Sequence, residues 1–233
     1  VTFEDKNSSY YVTARHVIEG MRRKGIQEVF VRLNTKSQQS EWLSSELANW
    51  VHHPDHTVDV SVLCAGLLPH HDHVSLGTSF FAVQSTFEEN EAGPGDEMII
   101  TGLFKHHTGD SRNIPIVRVG NLAAMNEVTV TTQIGQIDAY LAEVRSIGGL
   151  SGSPAFLNLG VTRRIGGKVK QATSDMIFLL GLVHGHYDEF LSRQDQVSLD
   201  DDLSPSRINT GIAIIVPSEK IMEAIQHAEA LKA

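Results

Sequence analysis

Gly148-Gly149-Leu150-Ser151-Gly152-Ser153-Pro154 is the stretch on which the reading of this chain turns. A serine flanked by glycines presents an exposed hydroxyl, because glycine supplies the backbone angles that a sharp turn requires. As a bare string it also reads as a Gly/Ser/Pro turn and nothing more. A serine hydroxyl attacks a carbonyl only with a base beside it, and the sequence offers one upstream. Tyr11-Val12-Thr13-Ala14-Arg15-His16 puts a histidine just after a β-branched and aromatic run, where a strand should break into a turn. The same segment fits a helix N-terminus with Thr13 as its cap. Between the two lies Asp59, in Val58-Asp59-Val60-Ser61-Val62-Leu63, which fits either the acid of a catalytic triad or a charge on an edge strand. The chain order His, Asp, Ser is one of several that convergent triads use.

That order, in these three local contexts, resembles the trypsin-like (chymotrypsin-fold) serine peptidases, and the resemblance runs over nearly the whole chain. Gly95-Asp96-Glu97-Met98-Ile99-Ile100-Thr101-Gly102 resembles the strand that opens the second barrel. Gly181-Leu182-Val183-His184-Gly185-His186 resembles the strand beside the bound substrate. Asn209-Thr210-Gly211-Ile212-Ala213-Ile214-Ile215-Val216-Pro217 resembles the last strand in bacterial members, and Ser218 to Ala233 the helix that follows it. The fold so implied is all-β: two six-stranded antiparallel β-barrels with the active site in the cleft between them, plus a C-terminal helix. The implied division is residues 1–90 for the barrel with histidine and aspartate, 91–217 for the barrel with serine, and 218–233 for the helix.

The resemblance also implies roles. It makes the chain a serine endopeptidase acting on polypeptide, with Ser151 as nucleophile, His16 as general base and Asp59 holding the imidazole. The N–H groups of Gly149 and Ser151 would form the oxyanion hole, where each donor is worth on the order of 3 kcal/mol in the transition state. The main chain of His184, Gly185 and His186 would pair with an extended substrate as an added strand. Arg145 falls where the base of the side-chain pocket is expected, favouring an acidic side chain. If Arg145 points to solvent, Val144, Ile147 and the His184 to His186 strand leave an apolar pocket. No cofactor and no metal are implied. The other reading is a catalytically idle or partner-regulated module that binds peptides or serves as effector of a larger assembly.

The chain departs from the family pattern at several places. Leu150 stands where digestive members carry the Asp that binds a newly cut N-terminus, and no Ile-Val-Gly-Gly start is present, so activation by that route is not expected. His184 stands where many relatives have a Ser that supports the catalytic Asp, and Ser153 replaces the second glycine of the common G-D-S-G-G-P string.

Composition narrows the field without selecting this answer. The 233 residues carry a net charge of −9, with a pI near 5.7, which argues against nucleic acid as the main partner. Arg22-Arg23-Lys24 is a short surface turn. No apolar run is long enough to span a membrane. The single cysteine, Cys64, cannot form an internal disulfide. This suits a bacterial or intracellular type, cytoplasmic or periplasmic, rather than a disulfide-stapled secreted one. Cys64 is expected to be a small buried hydrophobe. The 12 histidines cluster at His52-His53 with His56, His70-His71 with His73, His106-His107, and His184 with His186. Without cysteine pairs or zinc spacing, the first three clusters are expected to be surface or loop residues. Asp200-Asp201-Asp202 lacks the spaced ligands of a calcium loop.

Along the chain, Val29-Phe30-Val31-Arg32-Leu33 alternates as a half-buried strand, and Val17 to Lys24 suits a short helical turn. In Ser40 to His53 the residues Trp42, Leu43, Leu47 and Trp50 fit a helix period, while the family resemblance favours strand near its end. Glu88 to Gly95, ending in Gly-Pro-Gly, is the candidate linker between barrels. The acidic stretch Asp188 to Arg207 has the composition of a surface loop.

Overall fold

The computed structural model describes residues 2–3, 8–104, 108–127, 129–132, 134–144, 149–172, 176–190 and 207–232. The first half contains β1 (Thr2–Phe3), β2 (Ser8–Thr13), α1 (Arg15–Arg23), β3 (Glu28–Asn34), β4 (Ser40–Glu46), β5 (Val51–His52) and β6 (Ser61–Cys64). After α2 (Gln84–Asn90) come β7 (Glu97–Leu103), β8 (Pro115–Ala124), β9 (Val130–Thr132), β10 (Gly135–Ile137) and β11 (Tyr140–Glu143). Then follow β12 (Pro154–Asn158), β13 (Thr162–Ile165), β14 (Lys168–Gln171), β15 (Ile177–Phe190), β16 (Arg207–Pro217) and α3 (Ser218–Ala230).

Six of these strands close into one antiparallel barrel in the order β11-β16-β15-β12-β7-β8, with β8 returning to β11. Period-two alternation builds its interior: Met98 and Ile100 of β7 point inward and are fully buried with Leu122, Leu157, Leu180 and Ile215. Strand β15 reads instead as a continuous apolar run because both of its faces are covered. Leu180 and Val183 lie in the barrel core, while Leu179 and Leu182 pack on the other side with Ile221, Ala224 and Ile225 of α3. Gly181 makes this crowding possible, since a β-carbon there would come within 1.8 Å of the Val216 carbonyl oxygen.

In the first half, among the described residues, the strands form a four-stranded sheet, β1-β2-β6-β5, and a separate hairpin of β3 with β4. Val60 and Val62 are fully buried against Tyr10, Val216 and α3, so one apolar cluster joins this sheet to β15, β16 and the C-terminal helix. Burying side chains of this size is worth roughly 1.5–3 kcal/mol each. Polar ties add direction. Tyr10 donates its hydroxyl proton to Glu229 of α3 and accepts one from Lys232 at 2.8 Å. Burial and the bond to Glu229 push the Tyr10 hydroxyl up to about 12. The Arg32 guanidinium donates to the carbonyls of Gly109 and Asp110, pinning the hairpin to the segment between β7 and β8.

Several expectations change here. Ser40 to His53 is two strands separated by a single turn, and Trp42 is exposed while Leu47 and Trp50 are buried, so its apolar residues never share one helical face. The expected linker begins inside α2, which runs to Asn90, and the chain turns at Gly95, whose φ is +98°. Cys64 is exposed, since it closes β6 beyond Val62 and Leu63, where the strand leaves the core. His53 and His71 are buried rather than superficial. His53 Nδ1 accepts the N–H of Asp55, and its Nε2–H donates to Glu223 of α3 at 2.9 Å. Of the stretch Asp188 to Arg207, the ends belong to strands β15 and β16, and residues 191–206 lie outside the described residues.

Candidate active site

His16 enters the site as the second residue of α1. Both sequence readings of this segment hold together: a strand does end at Thr13, and a helix does begin immediately after it. The cap is not Thr13. Ala14 occupies the N-cap position without a side-chain bond, and the backbone N–H of His16 donates to Asp59 Oδ1 at 2.8 Å. A carboxylate from a distant segment therefore satisfies one of the donors that a helix N-terminus leaves open, and its charge suits the positive end of the helix dipole.

The same carboxylate holds the ring. His16 Nδ1–H donates to Asp59 Oδ2 at 2.7 Å, which leaves Nε2 with a free lone pair facing away from the acid. Asp59 is 1 % exposed and lies just before β6, so it is no edge-strand charge. Burial alone would raise its pKa, but the hydrogen bonds from His16 and then His184 outweigh it and hold the carboxyl below its usual value.

Ser151 sits in a turn knitted to β15. Gly152 N–H donates to the Val183 carbonyl at 2.7 Å, Val183 N–H to the Ser153 carbonyl at 2.9 Å, and Ser153 N–H to the Leu150 carbonyl at 2.9 Å. Gly149 and Gly152 have φ of +105° and +84°, angles that side chains rarely adopt. The turn is anchored from below by Leu150, 3 % exposed in the barrel core. Gly102 of β7 lies directly beneath, with room for no β-carbon between Leu150 and Ser153. On its other side the turn touches the first half: a β-carbon on Gly152 would stand 2.4 Å from Thr13 Oγ1 and 3.1 Å from Ala14 N. The Ser151 turn thus meets the segment that carries His16.

His184 joins the two groups. Val183 pairs with Ile215 and Gly185 with Ile214, so His184 is the extra residue of a β-bulge. Bulges re-aim side chains, commonly beside active sites. Here the carbonyl of His184 accepts the Ser151 hydroxyl at 3.1 Å, while its Nδ1–H donates to Asp59 Oδ2 at 2.5 Å. The His16 and His184 rings stand edge to face with centroids 5.3 Å apart. The resemblance puts His184 beside the substrate and at a position where a Ser often supports the Asp, and here the His184 ring bonds Asp59 itself; the Gly185 that follows it is the available signal for a bulge.

Of the remaining expected residues, Gly185 and His186 continue β15 where it pairs with β16 alone, past the end of its pairing with β12. Arg145, Ile147 and Gly148 lie outside the described residues. Val144 is buried, its N–H bonded to the Gly211 carbonyl at 2.8 Å. A cleft of about 600 Å³ opens beside it, lined among others by Arg118, Asn121, Glu143 and Gly211.

Two groups of described residues bring three potential metal donors within 4.8 Å of one another: His16, Asp59 and His184, and Glu41, His70 and His71. In the second, Leu68 N–H points at His71 Nδ1, which keeps the ring proton on Nε2. That nitrogen is then a hydrogen-bond donor to Glu41 rather than a free ligand.

The described residues thus form a mostly β fold with one closed six-stranded antiparallel barrel and a C-terminal helix. Among solved structures the chain is similar to the protease domain of MamO from Magnetospirillum magneticum, determined in its apo form. The match has a TM-score of 0.51 at 12 % identity and covers 94 % of this chain and 82 % of that one. At that identity the likeness speaks for the fold. No family model matches the chain, and no curated protein matches its sequence. No helix among the described residues is long and apolar enough to cross a membrane.

Proposed function

We propose that this chain is a serine endopeptidase of the two-barrel, trypsin-like kind, hydrolysing peptide bonds through an acyl-enzyme. The observation that carries the reading is Asp59, a buried carboxylate that grips both the ring and the backbone of His16 while the Ser151 turn abuts Thr13 and Ala14. In this mechanism His16 Nε2 takes the Ser151 proton as Oγ attacks the scissile carbonyl, and the positive ring is stabilised by Asp59. The N–H groups of Gly149 and Ser151 receive the oxyanion. The ring then gives its proton to the leaving amine, and water repeats the sequence on the ester. Polypeptide is the substrate class because β15 runs on past Leu182, where its pairing with β12 ends among the described residues, and an extended chain can add there as a strand.

A second reading, a peptide-binding module that is idle until a partner or substrate engages it, is favoured by one contact. The Ser151 hydroxyl is bonded to the His184 carbonyl, not to His16. A strand added along β15 would compete for that carbonyl and release the hydroxyl toward the base. A fluorophosphonate probe separates the readings. The peptidase reading expects covalent labelling of Ser151 in the isolated chain, lost in Ser151→Ala. Absence of labelling in the isolated chain overturns it, and labelling restored by an added peptide supports the gated version.

A further inference from the structure

We infer that the notch between Asp59, His16 and His184 is a binding site for a divalent metal ion of the zinc type, and that the seated ion blocks His16 as a base. The site stands on its own geometry, while the block rests on the proposed triad. Asp59 Oδ2 lies 2.7 Å from His16 Nδ1 and 2.5 Å from His184 Nδ1, so two imidazole nitrogens converge on one carboxylate oxygen. Zinc and its transition-metal neighbours take such a mixed nitrogen and oxygen set, whereas calcium and magnesium prefer oxygen alone. Three protein ligands leave one corner of a tetrahedron for water. The His16 side chain, 31 % exposed, gives the ion a way in from solvent.

The two rings can release these nitrogens. Each donates Nδ1–H to Asp59, and neither Nε2 has a hydrogen-bond partner among the described residues. A neutral imidazole carries one proton on either nitrogen. Each ring can therefore move its proton through water to Nε2 while Nδ1 takes the metal, with no proton or electron lost. His71 differs, because the Leu68 N–H occupies its Nδ1. Bonds of about 2.0–2.1 Å at tetrahedral angles set ligand atoms about 3.3 Å apart, so each ring has to retreat by less than about 1 Å. His184 stands in a bulge, outside the regular ladder, where the chain can give. The His16 ring can turn about its side-chain bonds while its backbone N–H keeps Asp59 Oδ1 in place, the kind of outer bond that orients a ligating carboxylate.

The consequence for chemistry is a change of tautomer. With the metal on His16 Nδ1, the ring proton sits on Nε2, which then donates and has no lone pair for the Ser151 proton. The Ser151 hydroxyl keeps its bond to the His184 carbonyl. The ion thus silences the chain reversibly, and a chelator restores it.

The test is calorimetric titration of Ser151→Ala protein, stripped by a chelator, with zinc alone at neutral pH. The expected result is a zinc site that His184→Ala weakens by at least about 100-fold, the upper range for loss of even an outer partner, and that His70→Ala leaves unchanged. No zinc binding, or equal affinity with and without His184, overturns the inference. Should His184→Ala not fold, NMR of the ring nitrogens in Ser151→Ala protein decides: zinc should move Nδ1 of His16 and His184, and magnesium should not. Shifts confined to other histidines, or an equal response to magnesium, overturn the site. In the unmutated chain zinc should stop hydrolysis and a chelator restore it, and hydrolysis that persists with the site filled overturns the block. Zinc held by these residues in a chain that hydrolyses nothing when stripped of metal would keep the site and sink the peptidase reading instead.

Discussion

Gly152 and Thr13 lie in contact across the two halves of the chain, with no space for a β-carbon between them. This is the point at which the Ser151 turn meets the segment that carries His16. Gly152→Ala would put a side chain both into that contact and at φ +84°. We expect a loss of about 100-fold in kcat/KM, the usual cost of a misplacement near 1 Å. Gly25→Ala is the control, since Gly25 also has positive φ but nothing near its β position. Equal losses in the two variants would remove the contact from the explanation.

Ser151→Ala and His16→Ala should each reduce hydrolysis of casein or a peptide by about 10⁴-fold or more, because nucleophile and base act as one unit. The Ser151 hydroxyl makes a single bond to the His184 carbonyl, so thermal unfolding of Ser151→Ala should shift by only a few degrees. A loss of activity below about tenfold in either variant contradicts the triad.

Asp59→Asn should lower kcat by about 10⁴-fold with little change in geometry, because an amide can hold only the wrong imidazole tautomer. Stability should respond as well. Asp59 is held below its usual carboxylate value, so its contribution is fully present above the unfolded value near 3.9 and is lost as pH falls through the lower folded value. Urea midpoints measured from neutrality down to about pH 3 should drop more steeply in the parent than in Asp59→Asn. Parallel curves would deny Asp59 this role.

Leu150 anchors the Ser151 turn by its burial in the barrel core. Leu150→Ala should cost about 2–5 kcal/mol by denaturant unfolding, and lower kcat more than it raises KM as Gly149 and Ser151 lose their support. Leu150→Met, which conserves volume, should cost less than about 1.5 kcal/mol. A kcat untouched by Leu150→Ala would mean that the turn is held elsewhere.

The local chemistry is readable in the sequence because it depends on short-range rules. Glycines around Ser151 announce a turn with positive φ. The β-branched run before His16 announces the end of a strand. The stretch Gly95 to Gly102, which resembles a barrel strand, does hold one at Glu97–Leu103, with Met98 and Ile100 facing inward. Cys64 departs from expectation because an apolar run says nothing about where its strand leaves the core. His53 and His71 depart from it because charge-capable rings look superficial until their partners, Glu223 and Glu41, are brought to them by the fold.

By itself, the sequence determined which residues carry usable chemistry and which short elements they end: a serine in a glycine turn, a histidine after a strand, a carboxylate in an apolar run. Only the tertiary structure decided what that carboxylate does. Asp59 caps α1, orients His16 and accepts from His184, three bonds to groups far apart in sequence. The reason is physical. A hydrogen bond is specified to a fraction of an ångström, whereas residue order fixes only what is near along the chain. Closure of the barrel and the bulge at His184 supply the rest.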